Sequence, residues 1–296
     1  MPSTPPDLGL DAHLLTASSK AGVLLEALPY LRAFREKIFV IKYGGSALGD
    51  PALRRRILQD IVFLSLVGIR PVLVHGGGPD ISQRMARQGQ AARFVEGLRV
   101  TDEATLRIVA TSLQQLNHRL VRELRALGGR PVGFAARGPA LLQTRPMTIR
   151  GHDLGYVGTI VAAHPQPVLH ALRQGQIPVV WPLGRGHDHH LYNVNADQAA
   201  ADLAGALTAE KLVLVTDVRG ILRAGTLVPS VTARQVETLV GRGVITKGMI
   251  PKARACVHAL GRGVRKTHMI DIKIPHGLLL ELFTDRGIGT EITRTR

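Results

Sequence analysis

The chain is organised around residues 38–46, which read I-F-V-I-K-Y-G-G-S. The run 38–41 is apolar without polar alternation, and this predicts a strand covered on both faces, as in a parallel sheet between helices. Gly44 and Gly45 remove side chains where the strand ends, so backbone N–H groups can approach a bound anion, and Lys42 supplies a charge beside them. The stretch therefore predicts an α/β fold with a phosphate site at the end of a strand.

A second segment has the same form. Residues 71–79 read P-V-L-V-H-G-G-G-P, in which a buried strand opens into glycines, among them Gly76 and Gly77, and Pro79 is placed to begin a helix. Either glycine pair alone is more often only a tight turn, but the two glycine-tipped strands together indicate one phosphate site. The Walker loop G-x-x-x-x-G-K-[ST] is absent from the sequence, since no lysine follows a glycine, so phosphate must be bound by another design.

Length and composition indicate an ordinary globular protein. The 296 residues and 45% apolar content allow one large α/β domain or two smaller lobes. No apolar run approaches the roughly 18 residues of a membrane span and residues 1–7 lack the form of a signal peptide, so we expect a cytoplasmic protein without a membrane partner. The single Cys256 leaves no second cysteine for an intramolecular disulfide.

The net charge of +16 comes from 38 basic residues that are mostly arginines spread along the chain. Aromatic residues, which stack on bases, make up only 4%. We therefore interpret the charge as a bias toward anionic ligands and expect no nucleic-acid partner. His187, His189 and His190 lack accompanying cysteines and regular ligand spacing, so we interpret them as a solvated loop and predict no metal site.

The segment before the first strand has helical spacing of its apolar residues between residues 14 and 36. It predicts an amphipathic helix that Pro29 should break or kink. Its apolar face must cover either its own domain or a neighbouring subunit, and the sequence leaves both open. Farther along, residues 130–163 predict antiparallel hairpins beside the parallel sheet, and residues 287–292 predict a final edge strand.

Three charged residues occupy informative positions. Arg99 comes just before a helix and can clamp a ligand carboxylate, although an exposed loop arginine fits the position equally well. Asp197 lies among alanines at the start of a helix, where close packing argues against a surface charge. Lys252 lies in the first turn of a helix, where the dipole disfavours a cation, which indicates an anion between the lysine and the helix end.

Several short motifs follow one another along the chain, from about residue 28 to its end. They are K-Y-G-G-S-A at 42–47, V-H-G-G-G-P at 74–79, R-V-T-D at 99–102, Y-N-V-N-A-D at 192–197, A-E-K-L at 209–212, G-M-I-P-K at 248–252 and L-L-L-E-L-F-T-D-R-G-I-G-T at 278–290. With these motifs the chain resembles N-acetylglutamate kinase of the amino acid kinase superfamily. Carbamate kinases, uridylate kinases and aspartokinases share the glycine loops but not R-V-T-D together with Y-N-V-N-A-D.

The resemblance implies the amino acid kinase fold, a three-layer αβα sandwich around a mainly parallel sheet. It implies an N-terminal extension with an oligomerisation helix over residues 1–37, an acyl amino acid lobe over 38–207 and a nucleotide lobe over 208–296. The implied reaction uses ATP with Mg²⁺ to phosphorylate the γ-carboxylate of N-acetyl-L-glutamate in arginine biosynthesis. The chemistry agrees, because an ionised carboxylate needs alignment and charge neutralisation rather than a general base.

Residue roles follow from the resemblance by position. Lys42 and Lys252 resemble the lysines that neutralise the transferring phosphoryl group, and Asp197 resembles the acid that holds them. The substrate would be bound by the glycine cradle and a carboxylate clamp, namely Gly44, Gly45, Gly76, Gly77, Arg99 and Asn193. The nucleotide would be bound by Lys211, Thr216, Asp217 and Lys252.

Family members that arginine inhibits share two features with this chain, a helix before the first strand and a C-terminal effector segment, here His268, Glu281 and Gly287. In them, helices of paired dimers interlace into a hexamer, and arginine binds where that helix meets the C-terminal lobe. Residues 60–71 also resemble photosynthetic members, whose partner is a trimeric nitrogen-signalling protein. The resemblance thus implies a homohexamer, a trimer of dimers, inhibited by L-arginine, with that signalling protein as a further partner.

The chain departs from the family pattern at four places. They are Lys247, where a glycine is usual, and residues 114–118, 133–138 and 272–273. These departures support two alternatives, a catalytically weak regulatory or binding protein of the same fold, and a kinase for another acylated acidic amino acid. None of them removes a residue assigned above to the chemistry.

Overall fold

The computed structural model describes residues 12–134, 140–149 and 151–294, so residues 135–138 of one departure lie outside the described residues. Within these ranges the helices are α1 (Ala12–Phe34), α2 (Pro51–Leu66), α3 (Gly78–Arg87), α4 (Glu103–Ala126), α5 (Gln166–Arg173), α6 (Ala196–Ala206), α7 (Ala233–Gly241), α8 (Met249–Gly261) and α9 (Gly277–Phe283), with a short 3-10 helix at Ser46–Gly49. The strands are β1 (Ile38–Tyr43), β2 (Arg70–His75), β3 (Phe94–Val95), β4 (Leu98–Arg99), β5 (Pro131–Phe134), β6 (Leu142–Ile149), β7 (His152–Ala163), β8 (Ile177–Val180), β9 (Leu183–Gly186), β10 (Leu191–Asn193), β11 (Lys211–Thr216), β12 (Leu222–Arg223), β13 (Thr226–Leu227), β14 (Ser230–Thr232), β15 (Lys266–Asp271) and β16 (Thr290–Thr293).

The central sheet of the described chain has the strand order β14-β16-β15-β11-β1-β2-β8-β5. β1 lies inside it and is parallel to both neighbours, β11 and β2. The pairings from β15 to β5 are all parallel, whereas β16 runs antiparallel to β15 and parallel to β14. The prediction of a mainly parallel sheet is therefore confirmed.

Helices cover both faces of this sheet because the side chains of β1 alternate between them. Val40 belongs to one core with the alanine-rich α6 and with α8, whereas Phe39, Ile41 and Tyr43 belong to a second core with α2, α4 and α9. This arrangement is the predicted three-layer sandwich. Since Lys42 has the parity of Val40, its side chain points toward the α6 layer.

The strands β6, β7, β9 and β10 close into a small barrel beside the sheet. Its β6 and β7 pair antiparallel, which confirms the hairpin predicted between residues 130 and 163, although β5 of the same stretch joins the central sheet. Val157 of β7 and Asn193 of β10 line the same cavity. The barrel therefore forms one wall of the cleft at the carboxyl edge of the sheet.

The outer edge of the sheet differs from the prediction. The expectation that residues 287–292 form the edge strand is wrong, because β16 is covered by β14. β14 is only three residues long and buries only Val231. So short a stretch has no alternation that a sequence pattern can detect.

α1 is one helix that passes through Pro29 without the expected break. Tyr30, Leu31 and Phe34 pack on the second core, which offsets the roughly 3 kcal/mol cost of an internal proline. The consecutive residues 23–25 are 63, 70 and 68% exposed, so apolar side chains spread around the helix rather than forming one stripe. In the described part of the chain, no helix combines the length and the apolar character needed to cross a membrane.

Candidate active site

The candidate site lies where the parallel strands of the central sheet end. Lys42 is the last residue but one of β1 and pairs in register with both β2 and β11. The glycines at 44–45 follow β1, the glycines at 76–78 follow β2, and Asp217 follows Thr216 at the end of β11. Because carboxyl ends of parallel strands share one edge of a sheet, these three loops meet around Lys42.

Asp197 joins two lysines. Its carboxylate is buried, with Oδ1 2.8 Å from Lys42 Nζ and Oδ2 2.9 Å from Lys252 Nζ. Asp197 lies in the first turn of α6, where the N-cap Asn195 accepts hydrogen bonds from the N–H groups of Asp197 and Gln198. Lys252 lies in the first turn of α8, which packs against α6. The start of each helix thus presents one member of the trio.

The trio carries one more positive than negative charge. Burial raises the pKa of the Asp197 carboxyl, but Lys42 and Lys252 outweigh burial and bring that pKa down to about 2. Burial lowers the pKa of Lys42, and the Asp197 carboxylate offsets this only in part. The Lys252 side chain is 23% exposed against 7% for Lys42, so its ammonium is the one that solvent reaches more easily. Such a group attracts and neutralises an anion.

The first glycine loop leaves space for that anion. A Cβ on Gly44 would lie 2.7 Å from Lys42 Nζ, so any side chain there would displace the lysine. Gly45 has a φ of +87°, in the left-handed region that glycine favours. Both glycines are therefore required by geometry at the end of β1.

The second glycine loop has a more specific geometry. Gly76 donates its N–H to the Tyr43 carbonyl at 2.8 Å. This N–H group is therefore already used, and it holds the second glycine loop against the end of β1. A Cβ on Gly77 would lie 2.6 Å from Leu113 Cδ2 of α4. The loop thus packs tightly between β1 and α4.

Arg99 is a buried cation, 8% exposed. Its guanidinium donates to Ser82 Oγ at 2.7 Å and to the Gly78 carbonyl at 3.2 Å, and lies 4.8 Å from the centre of the Phe94 ring. Burial lowers the pKa of Arg99, and among the described residues no carboxylate forms an ion pair with it. A desolvated guanidinium of this kind is suited to a ligand carboxylate.

Asn193 is connected to Arg99 through Thr101. Asn193 Nδ2 donates to Thr101 Oγ1 at 3.3 Å, and this hydroxyl donates to the Arg99 carbonyl at 2.8 Å. Thr101 belongs to the motif R-V-T-D, but the sequence has no pattern that indicates this linking role.

A cavity of about 230 Å³ is lined by Lys42, Gly45, Gly77, Arg99, Asn193 and Asp197.

The residues predicted to bind nucleotide separate into two groups. Thr216 ends β11 at the same edge as Lys42, and its Oγ1 accepts from the Val218 N–H at 3.1 Å. Asp217 is exposed beside it, and its charge opposes to a small extent the lowering of the Lys42 pKa that burial causes. Lys211 begins β11, so the structure places it at the opposite edge, about 16 Å away along the strand, and does not bring it together with the others.

Lys211 instead joins the three residues predicted to bind an effector. His268 Nε2 lies 3.1 Å from Lys211 Nζ, and His268 Nδ1 lies 2.7 Å from Glu281 Oε1. Glu281 Oε2 also accepts from the Ile288 N–H, and a Cβ on Gly287 would lie 2.7 Å from this oxygen. Burial lowers the pKa of Lys211 to about 8. We call these residues, Lys211, His268, Glu281 and Gly287, the distal cluster.

The departure at Lys247 lies at a backbone position with a left-handed conformation. Lys247 has a φ of 46°, in the left-handed region where glycine is ordinarily found. It immediately precedes Gly248, the N-cap of α8. Lys247 therefore places a cation in the turn before Lys252.

The sequence profile of the amino acid kinase family matches residues 37–271. An acetylglutamate kinase from Halothermothrix orenii is 44% identical over 285 residues, which is 94% of this chain and 98% of that protein. The chain therefore belongs to the amino acid kinase family and, within it, to the acetylglutamate kinases.

Solved structures share the fold of this chain. The N-acetylglutamate synthase from Neisseria gonorrhoeae, complexed with coenzyme A and N-acetyl-glutamate, superposes with a TM-score of 0.85 at 31% identity. The match covers 93% of this chain and 64% of the synthase chain, so this chain spans less than two thirds of that protein. The same synthase complexed with coenzyme A and L-arginine superposes with a TM-score of 0.80 at 31% identity, covering 93% of this chain and 65% of that one.

Proposed function

We propose that the protein uses ATP to phosphorylate the γ-carboxylate of N-acetyl-L-glutamate, giving N-acetylglutamyl phosphate for arginine biosynthesis. The observation that carries the proposal is the buried Asp197 with an ammonium group on each oxygen, at 2.8 and 2.9 Å. It shares one cavity with Arg99, a buried cation suited to the substrate's α-carboxylate. A site with fixed cations and a carboxylate clamp fits an acidic amino acid and a phosphoryl group together.

The reaction needs little proton transfer. The γ-carboxylate of the substrate, with a pKa of about 4.3, is already ionised at neutral pH and attacks without a general base. Its oxygen forms a bond to the γ-phosphorus while the bond from that phosphorus to the β-bridging oxygen breaks, and ADP leaves with the electron pair. The protein must therefore align two anions and neutralise charge on the oxygens of the transferring group.

Each part of the site meets one of these needs. Arg99 and Asn193 hold the α-carboxylate and so fix the far end of the substrate. Lys42 and Lys252 neutralise the transferring group, and Asp197 holds both lysines at fixed positions. Because these positive charges are in place before reaction, they need no reorganisation as charge develops.

The residues at this edge of the sheet fit a nucleoside triphosphate. The glycines after β1 and β2 leave the space beside Lys42 free of side chains, where a Cβ on Gly44 would lie 2.7 Å from the ammonium. Thr216 and Asp217 lie at the same edge and would bind the nucleotide within a lobe over residues 208–296. Mg²⁺, when bound with ATP, would supply further positive charge beside the phosphates.

The alternatives differ in measurable products. Retention of the complete Lys42, Asp197 and Lys252 trio disfavours a weak binding protein, and a kinase for another acylated acid would share the trio. Purified protein with ATP, Mg²⁺ and hydroxylamine should give a trapped hydroxamate with N-acetyl-L-glutamate and much less with N-acetyl-L-aspartate or N-acetyl-L-aminoadipate. Folded protein that forms no hydroxamate with N-acetyl-L-glutamate would contradict the proposal.

We further propose that L-arginine inhibits the enzyme at the distal cluster and that α1 assembles dimers into a homohexamer. The support is that Lys211, a member of this cluster, lies 5.1 Å from the ring of Phe34 at the end of α1. Leu24 and Leu25 of α1 are 70 and 68% exposed on one chain, and a neighbouring chain would cover them. The trimeric nitrogen-signalling protein implied by residues 60–71 would be a further partner.

Removal of residues 1–26 tests the assembly. The shortened protein should have the mass of a dimer when measured by light scattering. It should retain turnover and lose its response to arginine. The substitution Leu222→Ser, in an exposed apolar residue away from α1, serves as the control and should leave the mass unchanged. A shortened protein that stays hexameric would contradict the proposal.

A further inference from the structure

Two buried polar side chains lie behind the second glycine loop. His75 ends β2 and Asn117 lies in α4, and they are 0 and 1% exposed. Asn117 Nδ2 is 3.1 Å from His75 Nε2 and 2.9 Å from the carbonyl oxygen of Val179. His75 Nδ1 is 2.9 Å from the carbonyl oxygen of Gly76. A continuous set of hydrogen bonds thus connects β8 and α4 to the glycine loop.

The partners of Asn117 determine where the ring proton of His75 lies. A backbone carbonyl can only accept, so the atom of Asn117 that faces Val179 must be the amide nitrogen. The same NH₂ group faces His75 Nε2, which must therefore accept and carry no proton. The proton of the neutral ring is then on Nδ1 and is donated to the Gly76 carbonyl. Burial lowers the pKa of His75 to about 4, so the ring is neutral at pH 7.

The Gly76 carbonyl fixes the direction of the next N–H group. In a trans peptide, the C=O of Gly76 and the N–H of Gly77 point in opposite directions. With the carbonyl held toward His75, the Gly77 N–H points away from the ring, and Gly77 lines the cavity beside Lys42. The N–H of Gly76 itself is already donated to Tyr43.

We propose that His75 and Asn117 are positioning residues, which hold the peptide between Gly76 and Gly77 so that the Gly77 N–H donates to the transferring phosphoryl group. This role rests on the kinase function proposed above. A preorganised donor matters because it does not have to turn toward the charge as the charge develops. Gly133 of β5 leaves the space that Asn117 needs, because a Cβ on this glycine would lie 2.4 Å from Asn117 Oδ1.

Two substitutions of His75 separate positioning from filling of the core. In His75→Asn the amide nitrogen takes the place of Nδ1 and still donates to Gly76, whereas in His75→Gln the terminal group takes the place of Nε2 and meets only Asn117. We expect His75→Asn to retain kcat within about fivefold, and His75→Gln to lose about 10- to 100-fold in kcat with little change in either KM.

The control is Leu124→Ala, on the same helix and fully buried but without a contact in this set. It should lower the melting temperature at nearly unchanged kcat. Equal kcat losses in folded His75→Asn and His75→Gln, or the larger loss in His75→Asn, would overturn the positioning role.

The tautomer can be read without measuring turnover. Long-range ¹H–¹⁵N spectra of the wild-type protein, with His75 assigned among the 12 histidines by comparison with His75→Asn, should show a neutral ring protonated at Nδ1 from about pH 6 to 8. An Nε2–H tautomer or an imidazolium in an active enzyme would overturn the positioning role alone. Absence of turnover in a wild-type protein with the Nδ1–H tautomer would instead contradict the kinase function.

Discussion

At the scale of single residues, the site depends on a buried acid between two cations. Removal of one partner of a buried ion pair leaves an uncompensated charge, which typically costs about 3 to 5 kcal/mol. Here one carboxylate serves two lysines, so its loss would leave two ammonium groups facing each other. Asp197 therefore contributes to both the stability of the fold and the geometry of the lysines.

Asp197→Asn should lower kcat by about 10² to 10³, since both lysines lose the group that fixes them. It should also lower the free energy of unfolding by about 3 kcal/mol or more. The control is Asp202→Asn on the same helix, where the carboxylate is buried but contacts His258 at 2.9 Å outside the cavity. Steady-state rates and denaturant melts should show a stability loss in both variants and a kcat loss in Asp197→Asn alone. Equal kcat values would contradict the assigned role.

Asp60 should make stability depend on pH. Burial raises the pKa of Asp60 from 3.8 to about 6, and the hydrogen bond from His276 offsets this only in part. An acid whose folded pKa is raised contributes stability below its unfolded pKa, and this is lost as pH rises toward 6. Relative to Asp60→Asn, the wild type should lose about 2 kcal/mol of unfolding free energy between pH 4 and 7. If the unfolding free energies of the two proteins changed equally with pH across this range, the raised pKa of Asp60 would be contradicted.

At the scale of the elements, the site is made where strands end. β1 has one buried lysine, and the second glycine loop meets the end of this strand directly, since the Gly76 N–H donates to the Tyr43 carbonyl at 2.8 Å. The helices α6 and α8 then begin at this edge and bring Asp197 and Lys252 to it. Short segments at strand and helix ends thus carry most of the chemistry.

Gly44→Ala should disable the site without unfolding the chain. The added methyl group would lie 2.7 Å from Lys42 Nζ, and the flexible lysine would yield, so we expect a loss in kcat of about 10² and a stability change of about 1 kcal/mol or less. The matched control is Gly49→Ala, where a Cβ meets nothing within 4 Å. Thermal melts and initial rates of both variants check this. A Gly44→Ala enzyme with wild-type kcat would show that Lys42 does not need its present position.

The two ends of β11 lie in two different clusters of side chains. Lys211 begins the strand in the distal cluster, while Thr216 ends it at the candidate active site. We expect Lys211→Met to leave KM for ATP unchanged within about twofold and to raise the arginine concentration for half-inhibition by at least about tenfold, because a charged partner is lost. ATP-dependent rates with and without arginine measure both. A tenfold rise in KM for ATP with unchanged inhibition would place Lys211 in nucleotide binding after all.

At the scale of the whole molecule, the sequence predicted the architecture and the trio better than it predicted the network around them. The apolar run of β1 and the glycines after it are local signals, and they locate the site. The separation of Lys211 from that edge also follows from the sequence, because the first and last residues of a six-residue strand are about 16 Å apart. The contact between His75 and Asn117, 42 residues apart, has no local pattern and needed the folded chain.

The two lobes proposed for this fold meet at the trio, since Lys42 and Asp197 come from the part before residue 208 and Lys252 from the part after it. Lys252 therefore tests the central claim, that fixed cations stabilise charge in the phosphoryl transfer. Lys252→Met keeps an unbranched apolar side chain as far as Cε and removes the ammonium group. Steady-state formation of the trapped hydroxamate should show kcat lowered by about 10² to 10³ with KM for both substrates within about threefold. A raised KM with unchanged kcat would contradict the claim, because the lysine would then only bind the ground state.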